Sequence, residues 1–350
     1  MDFKKILGLK FGDLVGLDIG SSCVKLVQLN RNGNGYEVLA AGIVPIDTAG
    51  EKTPQAVELR TIRAVTECCR EASIQNNYAV GSVCGPDVAV RYFKFPTIPA
   101  EEVASAVSLE AEQVCPFGID DSAIDYELIP DSSDTIRGVL VAATNKVVRQ
   151  KEKLLKEASL NPVLMDVDGL ALFNCLNETE DFASDQAIAI LNVGHTFSTL
   201  VISGDNCVPF VRDTNHAGQN ITGELINRTG LSRKQVFDTL FEDGGDIEQQ
   251  QLVEKNLDAA CEVLIDDING TLRFYSAQKK TLFIEKIYVC GGFSQARGFI
   301  DLLNSRLPAE AILWNPFEKM PCRGGSRFED LLQNKGPSLA VAAGLAMRSI

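Results

Sequence analysis

Runs of apolar residues along this chain switch between an every-other and an every-third-or-fourth spacing, which predicts strands and helices in alternation. An apolar run from Gly16 to Ile19 carries one carboxylate, Asp18, turns at Gly20-Ser21-Ser22 and resumes as a second strand to Leu29. Asn32-Gly33-Asn34-Gly35 supplies turn chemistry before a third strand over 36–41. Helical spacing over 53–73 follows, with Pro54 suited to a first turn, and then strands over 78–85 and 88–95. A helix over 99–114, a strand pair over 124–129 and 137–144, a charged helix over 145–159, a strand over 162–167 and a helix over 168–177 complete the first half. The acidic stretch 178–185 marks a boundary. Beyond it the pattern predicts strands over 187–193, 196–203 and 207–212, then helices over 218–229, 232–242 and 247–277. A buried strand over 285–290 runs into Gly291-Gly292 and a helix over 294–306, and an apolar small-residue helix covers 339–347. Strands and helices alternate in each half, so the fold is α/β.

The 350 residues are too many for one ordinary domain, so two lobes are expected. A formal net charge of −14 argues against a nucleic-acid binder. Of ten cysteines only Cys68-Cys69 are close in sequence, no C-x-x-C occurs, and the two histidines lie far from any cysteine cluster, so structural thiols in a reducing compartment are expected rather than zinc or disulfides. No apolar run reaches the roughly 20 residues that span a bilayer, and no signal peptide opens the chain. Residues 1–11 form a short basic amphipathic segment, read as packing on or fraying from the first strand, with a membrane surface as the alternative. A cytoplasmic protein is expected.

The turn at Gly20-Ser21-Ser22 beside Asp18 suits a phosphate and its metal ion, because backbone N–H groups and hydroxyls can converge on phosphate oxygens. The motif recurs. Leu17-Asp18-Ile19-Gly20-Ser21-Ser22 aligns with Leu191-Asn192-Val193-Gly194-His195-Thr196, and each copy continues as strand, turn, strand. Two facing hairpins can clamp a polyphosphate. Gly291-Gly292 at the end of a buried strand adds a place where backbone can approach a flat ligand face without a Cβ.

This order of motifs resembles the actin/Hsp70/sugar-kinase ATPase superfamily, and within it the type IV pilus assembly family PilM, related to the cell-division family FtsA. The likeness rests on Gly16 to Lys25, Asn269 to Tyr275, Tyr288 to Ser294, Asn315-Pro316-Phe317 and Ala342 to Arg348. It implies an α/β, actin-like (ribonuclease H-like) two-lobed fold with duplicated mixed sheets flanked by helices and a small FtsA-type inserted subdomain. The implied division is a first lobe over 1–180 with the insert at about 87–165, a second lobe over 185–335, and a helix over 336–350 returning to the first. It implies ATP and Mg²⁺ as cofactors. Asp18 would hold the metal, and Gly20, Ser21, Ser22 and Lys25 would form the first phosphate loop. Asn192, Gly194, His195 and Thr196 would belong to the second, while Gly291, Gly292 and Ser294 would face adenosine. The partner implied is the cytoplasmic N-terminal tail of PilN, held between the first subdomain and the insert with Arg91, Phe93 and Phe117 on the wall. Other pilus-machine components, motor ATPases among them, are further implied partners. Membrane association would be indirect, through PilN, at the inner face of the inner membrane.

Two departures bear on catalysis. Asn192 stands where the second loop usually has Asp, and Phe237 and Leu240 stand where relatives carry Glu and Lys for ribose and adenine. An amide neither accepts a proton nor neutralises Mg²⁺. The expectation is an ATP-binding scaffold with slow or absent hydrolysis; the alternatives are an active ATPase or kinase, and a membrane-attached filament former. There is no P-loop motif. His216 reads as a turn residue, and Asp168, close to Asp166 in sequence, as a helix cap.

Overall fold

The computed structural model describes residues 14–33, 35–129, 134–181, 187–204, 209–242, 244, 246–278, 284–323 and 325–348. Residues 1–11 and part of the acidic boundary stretch lie outside them. The first half runs β1 (Leu14–Ile19), β2 (Cys23–Asn32), β3 (Gly35–Pro45), α1 (Pro54–Glu71), β4 (Tyr78–Val83), β5 (Val88–Pro96), α2 (Val103–Val114), β6 (Ser122–Ile129), β7 (Thr135–Thr144), α3 (Asn145–Glu157), β8 (Asn161–Val167) and α4 (Asp168–Thr179). The second runs β9 (Ala187–Val193), β10 (Ser198–Ser203), β11 (Phe210–Thr214), α5 (Gly218–Thr229), α6 (Arg233–Phe241), α7 (Ile247–Gln278), β12 (Ile284–Cys290), α8 (Phe299–Arg306), β13 (Glu310–Leu313), α9 (Ser326–Lys335) and α10 (Ala340–Ala346).

Two five-stranded sheets share one design. Their orders are β3-β2-β1-β4-β8 and β11-β10-β9-β12-β13. In each, the first three strands form an antiparallel meander and the last two add in parallel. This is the duplicated mixed sheet of the actin-like, ribonuclease H-like class. The central strands β1 (LVGLDI) and β9 (AIAILNV) are almost wholly buried, as expected where helices cover both sheet faces. Fully burying a side chain such as Leu17 or Leu191 contributes roughly 1.5–3 kcal/mol. Thr53 caps α1 by accepting from the Ala56 N–H, with Pro54 in the first turn.

Small residues set the closest packing. A Cβ on Gly16 would stand 2.1 Å from the Ala342 carbonyl oxygen, so α10 crosses directly over β1. One on Gly344 would stand 2.0 Å from the carbonyl oxygen of Ala171 on α4. The apolar run near the C-terminus therefore completes the core under the opening strand. One continuous hydrophobic cluster includes Leu14 of β1 and residues of α4 and α10 together with Ile190, Val201, Val211 and Trp314 of the second half.

Between β4 and α3 the chain builds a separate three-stranded sheet, ordered β5-β7-β6, with α2 on one face. The sequence reading extended this insert to 165. Instead α3 packs on β4 and β8, and β8 pairs with β4 in the first large sheet, so the inserted sheet spans Val88 to Thr144. The predicted helix over 294–306 is also shorter, beginning at Phe299 after Gly298 turns the chain with φ of 76°. The strand β13 and the helix α9 are additions that the sequence pattern did not predict.

Candidate functional site

Both copies of the repeated hairpin close in the same way. The Gly20 N–H donates to the Cys23 carbonyl at 3.1 Å, and the Gly194 N–H donates to the Phe197 carbonyl at 3.1 Å. The two turns meet tip to tip, with Ser21 Oγ and Thr196 Oγ1 2.6 Å apart. Among the described residues, the N–H groups of Ser21, Ser22, His195 and Thr196 make no hydrogen bond. Four amide donors at the tips of facing turns form a cradle suited to an anion.

Behind the turns the copies diverge. Register pairs Asp18 with Lys25 across β1 and β2, and Lys25 Nζ bonds the Asp18 carboxylate at 2.7 Å. The matching pair across β9 and β10 is Asn192 and Thr199. Thr199 donates to Asp213 Oδ1 at 2.6 Å, and the Gly85 N–H donates to Asp213 Oδ2 at 2.6 Å. Burial opposes the charge on Lys25, but Asp18, with lesser help from Cys23 and Asp168, outweighs it and holds the ammonium above the ordinary lysine range. The first turn keeps an ion pair; the second keeps only neutral groups and a carboxylate already engaged.

The structure adds a residue that sequence reasoning missed. Asp168 begins α4 but does not cap it; the cap position is Val167. The residue is 8% exposed, and burial, then the neighbouring Asp18 charge, push its pKa up to about 7, with Ser82 and Lys151 pulling the other way. Lys151 in turn donates to the Ile19 carbonyl. Asp18, Lys25, Lys151 and Asp168 thus form one charge cluster beneath the first turn, with the carboxylates buried and the lysines partly buried. Asp166, its neighbour on β8, faces elsewhere and pairs with Arg348 at 3.0 Å. The signal in sequence was an acid at the junction of a buried strand and a helix, which capping chemistry masks.

The other expected residues divide. Gly291 adopts φ of 93°, and a Cβ there would sit 2.4 Å from Asn192 Oδ1, so it locks the turn against the second loop. Ser294 is 1% exposed, and its hydroxyl bonds the Gly291 carbonyl at 2.7 Å, closing that turn rather than facing a ligand. Gly292 alone of the three is exposed. His195 has its pKa lowered by burial and then by Arg233, which favours the neutral imidazole. His216 is no mere turn residue: its Nδ1 lies 3.1 Å from Asp267 Oδ2. Leu240 is buried, whereas Phe237 is 49% exposed at the end of an aromatic row with Phe241 and Phe293.

Of the expected partner-contact residues, Phe93 is 1% exposed and packs in the insert's own core, so its ring is not on a wall. Phe117 is half-buried against that core. Arg91 does line a cavity of about 900 Å³ between the insert, β11 and the end of α7. The described cysteines are all free thiols. Among the described residues no group of three metal-ligating side chains clusters, and no helix is long and apolar enough to cross a membrane.

Comparison with solved structures supports the topology. A chain of a "PilM-PilN type IV pilus biogenesis complex" is similar, with a TM-score of 0.79 at 24% identity over 96% of this chain and 98% of that one. The ethanolamine utilization protein EutJ from Carboxydothermus hydrogenoformans follows, with a TM-score of 0.56 at 12% identity over 95% and 88%. A nucleotide-free diol dehydratase-reactivating factor gives 0.54 at 10% over 95% and 98%. At these identities the structures establish the fold alone. The sequence profile of type IV pilus assembly protein PilM matches residues 16–350, nearly the whole length. The chain belongs to the type IV pilus assembly protein PilM family.

Proposed function

We propose that this protein is an ATP-binding scaffold of the type IV pilus assembly machine, working at the cytoplasmic face of the inner membrane and gripping the N-terminal tail of PilN. The observation that carries the nucleotide part is the pair of facing turns, whose four unbonded amides lie at the tips where Ser21 and Thr196 touch. Phosphate oxygens suit those amides and the Ser21, Ser22 and Thr196 hydroxyls. Asp18 and Asp168 are the carboxylates placed to hold Mg²⁺, and Lys25 lies beside Asp18 to neutralise a phosphate. When bound, the ion supplies charge neutralisation to the phosphates. Gly292 offers open backbone toward adenosine, and Phe237 an exposed ring near that end. Ser21 and Thr196 must give up their mutual hydrogen bond to accept a phosphate.

Efficient hydrolysis is not expected, because Asn192 brings no carboxylate to the second turn. A second reading, a working ATPase, draws on Asp168, a buried acid with a pKa near neutrality that could accept a proton. Calorimetric titration with ATP, with and without Mg²⁺, tests binding; micromolar or tighter affinity that requires Mg²⁺ is expected, and none at millimolar ATP would refute the reading. Single-turnover assays on the wild type, Asn192→Asp and Asp168→Asn separate the two. Brisk wild-type turnover lost in Asp168→Asn would establish the ATPase. Titration with a PilN tail peptide tests the partner.

A further inference from the structure

Helix α6 carries a stripe of one turn's spacing. Arg233, Phe237 and Phe241 are four residues apart and so share one face. The rings of Phe237 and Phe241 lie 5.0 Å apart, and Phe241 meets Phe293 edge to face at 5.8 Å. Phe293 directly follows the exposed Gly292, and its N–H donates to the carbonyl of Val193, the residue before the second turn. The aromatic row is therefore rooted at the base of that turn and runs outward to Phe237, whose ring is half exposed. At the other end of the stripe, Arg233 is near enough to His195 on the same turn for its charge to disfavour the imidazolium.

The polar groups beside this row are already used. Lys234 pairs with Asp238, Gln235 accepts from the Ser232 N–H at 2.9 Å, and Thr239 donates to the Gln235 carbonyl at 2.7 Å. Of the polar side chains of α6, Arg233 is the one that makes no hydrogen bond or ion pair among the described residues. On the Gly292 side, Ser294 is spent on the Gly291 carbonyl, and Gln295 donates to the Asn334 carbonyl at 2.6 Å. A site tells one sugar or base from another by hydrogen-bonding groups held ready for it. What remains here is a bare ring and a guanidinium. A ring stacks on any base, because every base has a π-face, and a guanidinium draws any phosphate.

We propose that α6 receives the nucleoside of a triphosphate by stacking its base on Phe237, with Arg233 drawing the phosphates, so that the site takes nucleoside triphosphates irrespective of base and of the sugar 2′-hydroxyl. This rests on reading the facing turns as a phosphate site, and it specifies what that site selects. In the test, the full chain is titrated calorimetrically, with Mg²⁺ present, with ATP, dATP, GTP and inorganic tripolyphosphate. The three nucleotides should bind within about threefold of one another, and at least about fivefold more tightly than tripolyphosphate. Phe237→Ala should lose about fivefold or more for each nucleotide, leave tripolyphosphate unaffected and keep the wild-type melting profile. Arg233→Gln should weaken all four ligands. Phe237→Trp should keep nucleotide affinity, and its added fluorescence should be quenched by ATP but not by tripolyphosphate; the native Trp314 is buried. A tenfold or greater preference for ATP over dATP or GTP, nucleotide affinities indifferent to Phe237→Ala, or tripolyphosphate binding as tightly as ATP would each overturn this proposal and leave the phosphate site standing. Absence of binding by all four ligands would overturn both.

Discussion

At the level of single residues, the cluster under the first turn gives sharp expectations. Lys25 is buried and depends on Asp18, so Asp18→Asn leaves an uncompensated charge and should cost on the order of 3–5 kcal/mol, read from urea midpoints. The Asp18→Asn/Lys25→Met double variant should recover much of that loss; if it is no more stable than the single, the ion pair is not the cause. Asp168 titrates in the opposite sense to a salt-bridged acid. Its folded pKa is raised from 3.8 to about 7, so the folded state holds a proton that the unfolded chain releases. Stability from this group is full below about pH 4 and declines as pH rises to about 7. Asp168→Asn should flatten that decline, seen as a smaller difference in denaturation midpoint between pH 5 and pH 8. Gly16→Ala should destabilise by at least about 1–3 kcal/mol, because the new methyl meets backbone of α10 rather than a movable side chain.

At the level of elements, the inserted sheet stands on its own small core. Gly138 lets the Phe93 ring lie across β7, where a Cβ would come within 2.5 Å of it. Phe93→Ala should cost about 3–5 kcal/mol in the insert, with hydrogen exchange rising over β5 to β7 and ATP affinity unchanged. How far elements could be read from the chain depended on what held them. Continuous apolar runs such as those of β1 and β9 were legible because both faces are buried. The length of α8 was not, because Ser294, expected to start the helix, bonds back to Gly291, and the helix starts at Phe299 after Gly298. The insert's far edge was misplaced because β8 carries the same local pattern whether it pairs with β4 or with the insert, and only pairing decides. The repeated turns were legible down to the residue. Asp168 and Asp213 were not, since their roles arise from contacts between segments distant in sequence.

At the level of the whole molecule, the halves touch at Ser21–Thr196, at Gly85–Asp213 and where Gly169 of α4 meets Val211. The first contact lies between the two repeated turns and the second beside the cavity lined by Arg91, so movement of one half against the other would change both places together. Reciprocal coupling follows if ligands prefer different degrees of closure. ATP-Mg²⁺ should therefore shift PilN-peptide affinity by about fivefold or more, and Asp213→Ala should reduce the shift. Identical affinities with and without nucleotide would rule the coupling out.

The close approach of α10 to Gly16 also bears on how the protein is made. Among the described strands β1 is translated first, yet its face is finished only by Ala340–Ala346 of α10. Until those residues emerge, β1 has an uncovered face, and the nascent chain must be kept from aggregating through it. The Gly20-Ser21-Ser22 turn is thus translated well before the helix that gives its strand native support.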